Sequence, residues 1–394
     1  MNHIFVTQDY PPVGGGMARR YVELCRRFGD GERARMEAST VAAPGAVEFD
    51  AGEVYPIHRQ PFGFDHANRF TNQLRWGVWL ARYCRKRVNV IHCGNIRPVG
   101  YAVSLARLRL GIPYLLYVNG GDLLRERSKA SRMSKRAGTR RIMGGAAGIV
   151  ATSNWVAELA GEVMQAVGID SMPPVAAFDL GTDPVAFHPS RDTGSLRARW
   201  GVGSAPIMLT VARLVPHKGQ DSAIRALAAL HAEFPDLRYV LVGEGDDEPR
   251  LMDLARELGV ADRIVFAGLL PDHELAEAYA TATIYVGLSR IDREINAEGF
   301  GISFLEASAS GIPAVAGDSG GVRSAVRDRE TGIVVPPTNI AAIAAAIASL
   351  LRDDSLRSAM GRAGRAAVET HYNWDRVARD TREFTYAVIG DRSA

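Results

Sequence analysis

The chain is poor in cysteine, with only Cys25, Cys84 and Cys93 among 394 residues. An odd number without metal-ligand spacing excludes a disulfide scaffold and a cysteine-based zinc site. Buried reduced thiols in a cytosolic protein are the expectation. No run of eighteen or more apolar residues occurs, so no membrane-spanning helix is expected. The opening Met-Asn-His-Ile-Phe-Val runs straight into a strand pattern and lacks the pattern of a signal peptide. There is no G-x-G-x-x-G dinucleotide fingerprint. There is no excess of charge either. Lys and Arg number 47 against 44 Asp and Glu, a net of +3, and no nucleic-acid partner is expected. What remains, 47% apolar and 23% charged residues, is the balance of a soluble globular protein. The length exceeds one ordinary core and suits two domains.

Short apolar, β-branched runs alternate with amphipathic stretches, the signature of parallel sheets covered by helices. In the first half the predicted strands are His3–Thr7, Ser39–Ala42, Val90–His92, Tyr114–Val118 and Gly148–Thr152. Predicted helices include Met17–Phe28, Asn72–Arg87, Val99–Leu108 and Asn154–Val167. The Gly-, Pro- and Asp-rich stretch from Phe178 to Pro189 reads as turns and an interdomain linker. The pattern then restarts with strands at Ile207–Val211, Arg238–Val242, Ile264–Ala267, Ile284–Gly287, Pro313–Ala316 and Gly332–Val335. Helices at Gln220–Phe234, Asp247–Leu258, Asp272–Ala280 and Ile340–Leu351 accompany them, and a last helix covers Trp374–Val388. The fold class is therefore α/β, with two Rossmann-like doubly wound domains facing across a cleft. The expected boundaries are 1–185, 186–372 and a C-terminal helix at 373–394. Open α/β sheets bind ligands at the carboxyl ends of their strands.

Several motifs fall there. Arg213 and Lys218 follow strand Ile207–Val211 inside a Pro/Gly turn. A planar fork beside a point charge suits a diphosphate, above all one that departs as a leaving group. Glu298 and Glu306 flank Gly299-Phe300-Gly301-Ile302, the approach to a helix at Ser303–Ser310. Helix amides there favour an anion, while the acids accept hydrogen bonds from hydroxyls. Gly14, Gly15 and Gly16 after the first strand let backbone approach a ligand. Gly243 in Gly243-Glu-Gly245-Asp-Asp reads equally as a nucleotide pocket or as a plain strand-to-helix turn. From Arg125 to Arg141 eight cations face the single acid Glu126. That is a solvated helix face or a surface for anionic lipid. Phe62, Phe64, Phe70, Trp76, Trp79 and Tyr83 supply aromatic surface or core nearby.

Together these residues resemble the retaining glycosyltransferases of family 4, with the GT-B fold, over essentially the whole length. The carriers are Pro11-Pro12 with the glycines that follow, Gly181-Thr-Asp183 with Phe187 and Pro189, Arg213 with Lys218-Gly219, the Glu298/Glu306 pair, and Ser319-Gly320-Gly321. The run Arg213-Leu-Val-Pro-His-Lys-Gly-Gln-Asp-Ser222 looks like the branch that builds phosphatidylinositol mannosides from GDP-mannose. The resemblance implies that Arg213 and Lys218 hold the donor diphosphate. Glu298 then binds the transferred sugar and Glu306 the ribose. Gly15 and Gly16 approach the diphosphate from the first domain, and Phe300, Gly301 and Ile302 give backbone contacts. Base contacts fall near Arg263–Gly268, with Val265 among them and Gly243 beside. It implies no cofactor and no metal, since Arg and Lys neutralise the charge. Many members carry His in a His-Gly-x-Asp/Glu pattern. This chain has Asn119 there, followed by Gly120, Gly121 and Asp122, and Asn cannot take a proton near neutral pH. Expected partners are a nucleotide-sugar donor and a lipid-linked, phosphorylated or small-molecule acceptor. A cytoplasmic location, with peripheral contact to the anionic inner face of the membrane, goes with them. Alternatives are a UDP-sugar donor, a nucleotide-sugar epimerase or hydrolase, and a non-catalytic sugar-nucleotide-binding subunit. The oligomeric state stays open.

Overall fold

The computed structural model describes residues 1–29, 34–63, 69–292 and 295–390. The chain divides into two compact units, Met1–Phe178 with Trp374–Ala394 and Asp179–Asn373.

The first unit holds strands β1 (Asn2–Val6), β2 (Arg35–Val41), β3 (Ile57–Gln60), β4 (Val90–Cys93), β5 (Tyr114–Val118), β6 (Gly148–Ala151) and β7 (Val175–Ala177). They form one parallel sheet in the order β3-β2-β1-β4-β5-β6-β7. Between them run α1 (Gly16–Phe28), α2 (Ala46–Ala51), α3 (Arg69–Tyr83), α4 (Val99–Leu110), α5 (Gly120–Ser128), α6 (Met133–Gly144) and α7 (Asn154–Ala166). Strands β4, β5 and β6 are buried along their whole length, as strands covered by helices on both faces must be. The sequence reading lacked β3 and β7. Both lie at the sheet's edges and are mostly half-buried; β3 carries no apolar run, and β7 is only three residues long.

The second unit holds β8 (Ile207–Val211), β9 (Arg238–Val242), β10 (Ile264–Gly268), β11 (Ile284–Gly287), β12 (Ala314–Gly317) and β13 (Gly332–Val335), in the order β10-β9-β8-β11-β12-β13. Its helices are α8 (Ser195–Trp200), α9 (Gln220–Leu230), α10 (Glu248–Glu257), α11 (Asp272–Thr281), α12 (Ile302–Ala309), α13 (Val322–Ala325), α14 (Ile340–Arg352) and α15 (Asp354–Thr370). In both sheets the first strand borders the fourth, so β1/β4 and β8/β11 are the switch points where such sheets bind ligands. The final helix α16 (Trp374–Ile389) returns to the first unit. There Arg27 Nε donates to Asp375 Oδ1 at 2.9 Å and Arg382 Nη1 to the Phe28 carbonyl at 3.0 Å.

Three expectations need correction. The first domain ends at Phe178 rather than at 185, and the second extends through Asn373. Residues 179–189 are not a free linker, because Leu180 and Phe187 are buried. Thr182 N donates to the Tyr372 carbonyl at 2.9 Å, and the Phe187 ring packs edge-on to Tyr279. The basic stretch Arg125–Arg141 is two helices, α5 and α6. Arg97 joins them by gripping Glu126 at 2.8 Å and Thr139 at 2.7 Å. Helix α15 is absent from the sequence reading, and it holds two glycines, Gly361 and Gly364, that are unfavourable inside a helix. Their purpose is close approach. A Cβ on Gly361 would lie 2.0 Å from the Gly311 carbonyl, and one on Gly364 would lie 3.0 Å from Ser308 Oγ. Of the aromatic group, Trp76 is core, Phe70 is exposed and Phe64 lies outside the described residues.

Candidate active site

The second unit's site is built where β8 and β11 end. Beyond Val211 the chain runs beside the loop that follows β9. Ala212 N donates to the Val242 carbonyl at 3.0 Å and Leu214 N to the Glu244 carbonyl at 2.9 Å. Such closeness requires glycine on the facing strand. A Cβ on Gly243 or Gly245 would sit 2.1 Å from the carbonyl of Ala212 or Leu214. Gly243 therefore places Arg213, a packing task the sequence reading did not separate from ligand contact. A single 3₁₀ turn, Pro216–Lys218, follows. Gly219 then adopts φ +76°, where a Cβ would stand 2.0 Å from the Leu288 carbonyl. Arg290 N donates to the His217 carbonyl at 2.8 Å, and the Arg290 guanidinium pairs with Asp221 at 3.0 Å. The two loops are thus tied together.

This lacing brings Lys218 Nζ to 2.5 Å from Glu298 Oε2. Ser289 Oγ adds a contact to the same oxygen at 3.4 Å, and Gly321 N donates to the Glu298 carbonyl at 2.9 Å. Burial pushes the Glu298 carboxyl up, but the Lys218 ammonium outweighs it and holds the group below the usual carboxylate range. His217 is lowered by burial and by the cations Lys218 and Arg213. Arg213 is exposed and has no ion pair or side-chain hydrogen bond among the described residues, leaving its fork open to an anion.

Glu306 takes a different place. It lies buried in the second turn of α12, where Tyr279 Oη donates to Oε2 at 2.7 Å. Burial holds the Tyr285 hydroxyl well above its ordinary pKa, and Glu306 and Glu298 both add to that. The two acids therefore act on one tyrosine, while Lys218 is held by Glu298 and the Tyr279 hydroxyl by Glu306. Gly301 caps α12 at φ +99°, and the Phe304 ring stands 2.5 Å from where its Cβ would be. Phe300 is buried, Ile302 opens the helix, and no acid occupies the first turn. Val265 is half-buried in β10, the edge strand.

The first unit has a polar cluster of its own. Gly15 caps α1 at φ +132°, Gly16 starts the helix, and nothing lies within 4 Å of a Cβ built on Gly14 or Gly15. Asn119 occupies the cap position of α5 without capping it. Its Nδ2 reaches Asp122 Oδ2 at 3.3 Å, while its Oδ1 is buried without a partner among the described residues. Asp122 pairs with Arg125. The sequence reading missed the residues beside them. Thr7 Oγ1 donates to Asn95 Oδ1 at 2.9 Å, and Asn95 Nδ2 donates to Asp9 Oδ2 at 2.7 Å. Burial raises the Asp9 pKa. Asn95 opposes this, Asp122 reinforces it, and Arg125 opposes it. Thr7, Asp9 and Asn95 sit just beyond β1 and β4, so the switch-point rule, applied to the first sheet, would have found them.

The family model of group 1 glycosyl transferases matches residues 195–367, and that of glycosyltransferase family 4 matches residues 14–166. The chain is 33% identical to the GDP-mannose-dependent alpha-(1-6)-phosphatidylinositol monomannoside mannosyltransferase of Mycolicibacterium smegmatis, over 94% of each chain. The chain belongs to glycosyltransferase family 4. A further relative of this glycosyltransferase is a D-inositol 3-phosphate glycosyltransferase of Thermobispora bispora, 29% identical over 94% of this chain and 90% of the other. In fold it is similar to HepE of Anabaena in complex with UDP and glucose, with a TM-score of 0.78 at 18% identity, 98% of this chain and 99% of that one being covered. Sucrose-phosphate synthase from Thermosynechococcus elongatus gives 0.78 at 20% identity, with the same coverage. The fold is GT-B. This glycosyltransferase moves a hexosyl unit from a nucleotide-sugar donor. Among the described residues no three His, Cys, Asp or Glu side chains are grouped so as to hold a metal. No described helix is long and apolar enough to cross a membrane.

Proposed function

We propose that the enzyme transfers mannose from GDP-mannose to a hydroxyl of a lipid-linked phosphoinositol acceptor, with retention of configuration. The observation that carries the transfer chemistry is the open Arg213 fork beside the Lys218–Glu298 pair at the β8/β11 switch point. The mannosyl and lipid parts rest on relatives named for that reaction, at 31–33% identity over nearly full length. The donor diphosphate lies on Arg213 and Lys218, and the amides of the first turn of α12 face its charge. As the sugar–phosphate bond breaks, negative charge grows on the departing oxygen, and the two cations stabilise it without reorganising. That oxygen takes the proton of the attacking hydroxyl, so no side chain needs to act as a strong base. Glu298 accepts hydrogen bonds from sugar hydroxyls, and Glu306 is assigned to the ribose. Gly15, Gly16, Gly243 and Val265 supply backbone or close-approach contacts to the donor. In the first domain Asn119 and Asp122 serve hydroxyls of the acceptor or the sugar. No bound metal is required, because Arg213 and Lys218 supply the positive charge. The enzyme acts at the surface of an anionic membrane as a peripheral protein.

The test is a thermal-shift panel of GDP, UDP and their sugars, followed by transfer from labelled GDP-mannose. Acceptors are a phosphatidylinositol mannoside and inositol 3-phosphate, each with and without EDTA. GDP at 100 times its Kd should add about 2.7 kcal/mol to the native state, and label should enter the lipid with EDTA present. Stabilisation by UDP alone would replace the donor. Transfer only to inositol 3-phosphate would favour the second reading, which the relative of that name supports. Loss of activity in EDTA, restored by metal, would overturn the metal-free mechanism.

A further inference from the structure

Asn119 stands at the cap position of α5 with extended backbone. An asparagine there ordinarily spends its side-chain oxygen on a free amide of the first turn. Asn119 makes no such bond. Its Oδ1 is buried and has no hydrogen-bond partner among the described residues. Its Nδ2, by contrast, reaches Asp122 Oδ2 at 3.3 Å. A buried acceptor left unmade costs stability, so something must hold the amide this way round.

The neighbour that does so is Tyr21 of α1, which is fully buried. Its ring lies 4.7 Å from that of Phe5 on β1 and packs edge-on to Tyr117 on β5 at 6.1 Å. Its hydroxyl donates to the Gly94 carbonyl, just beyond β4. That carbonyl is itself held in place. Gly94 N donates to the Val6 carbonyl at 2.8 Å, and a Cβ on Gly94 would lie 2.7 Å from Thr7 Cβ. Burial raises the Tyr21 pKa well above its ordinary value, Arg20 opposes the rise, and Asp9 and Asp122 add to it. The hydroxyl therefore keeps its proton and gives it to Gly94. The Asn119 side chain lowers the same pKa by hydrogen bonding, so it acts on the hydroxyl oxygen as a donor. Only the NH2 end of the amide can do that, and a carboxylate oxygen such as Asp122 Oδ2 likewise only accepts. Two acceptors thus flank the amide nitrogen, and turning the amide over would set Oδ1 against both.

We propose that Tyr21 is a positioning residue for the transfer reaction, fixing the Asn119 amide with Oδ1 as its unspent acceptor. The substrate group received at Asn119 is then a hydroxyl that donates. The inference rests on the reading that Asn119 serves a substrate hydroxyl, and it adds the direction of that hydrogen bond and the residue that sets it.

The experiment is a double-mutant cycle on kcat with Tyr21→Phe and Asn119→Ala, using transfer from GDP-mannose to a phosphatidylinositol mannoside. Phenylalanine keeps the ring packing and removes the hydroxyl alone. Turnover is counted per GDP-binding site, so a loss of folded protein does not register as a loss of kcat. Tyr21→Phe should keep wild-type affinity for GDP and lower kcat about tenfold, the scale of one neutral hydrogen bond. Asn119→Ala should lower it about a hundredfold, the scale for removing one aligned group. In the Asn119→Ala background, Tyr21→Phe should cost less than about twofold, because no amide is left to orient. Donor and acceptor analogues with single hydroxyls replaced by hydrogen or by fluorine, which cannot donate, read the direction of the bond. At one position the wild type should lose as much to fluorine as to hydrogen, and Asn119→Ala should lose nothing further there. Wild-type kcat in Tyr21→Phe, an equal loss in both backgrounds, or recovery by fluorine at every position would each overturn the proposal. Wild-type kcat in Asn119→Ala would overturn it together with the reading of Asn119 beneath it.

Discussion

Replacing Glu298 by Gln should make product binding tighter and catalysis slower. Lys218 Nζ lies 2.5 Å from Glu298 Oε2, so a donor phosphate that reaches Lys218 must share the ammonium with a carboxylate. Two anions on one ammonium stand about 5 Å apart, and their repulsion is about 1–3 kcal/mol for an effective dielectric between bulk water and a protein surface. Glutamine keeps the shape and removes the charge. GDP should therefore bind Glu298→Gln about five- to thirtyfold more tightly, about 1–2 kcal/mol. The amide also loses carboxylate hydrogen bonds to the sugar, so kcat should fall about 10²–10³-fold, the scale for removing one aligned group. Lys218→Met should move the other way on binding, weakening GDP and slowing transfer together. Calorimetry of GDP binding and steady-state transfer read the two effects separately. If Glu298→Gln weakens GDP as much as Lys218→Met does, Glu298 only positions the lysine and the competition argument is wrong.

Two other outcomes follow from the same geometry. Gly219→Ala should destabilise the second domain by about 2 kcal/mol or more, since it combines positive φ with a backbone clash against Leu288. An unchanged unfolding midpoint would show that the β8 and β11 loops are not locked there. The pH responses of the domains should differ in sign. Glu298 is depressed, so its stabilisation is full above the unfolded value of about 4.3 and fades as pH falls through the folded one. Asp9 is raised, so ionising it costs stability as pH climbs from its unfolded value through its folded one. Asp9→Asn should thus raise the first domain's melting temperature at pH 7 while lowering turnover. A variant that melts lower at pH 7 would refute the sign.

Much of the fold was legible because parallel strands buried on both faces leave apolar runs. β5, β8, β9, β11 and β13 fall at their expected bounds. β3 and β7 were not, because β3 has no such run and β7 is only three residues long; α15 carries glycines whose role is packing. In the candidate site, Arg213, Lys218 and Glu298 were legible in sequence because charged residues just beyond a strand's carboxyl end lie where such sheets bind ligands. Asp9 and Asn95 were not, because each stands alone in sequence and gains meaning only from the other, 86 residues away.

The sequence by itself determined two α/β domains, a cationic turn after β8 and an acidic pair around a helix start. Those are local properties of spacing and residue type. Only the tertiary structure decided that Lys218 already holds Glu298 while Glu306 turns inward to Tyr279. The choice depends on which loop each chain segment meets, and the glycines at 219, 243 and 301 settle it by allowing contacts that a Cβ would forbid. Phe70 and Trp76 each read as surface or core in sequence, and only the structure shows Phe70 exposed and Trp76 buried.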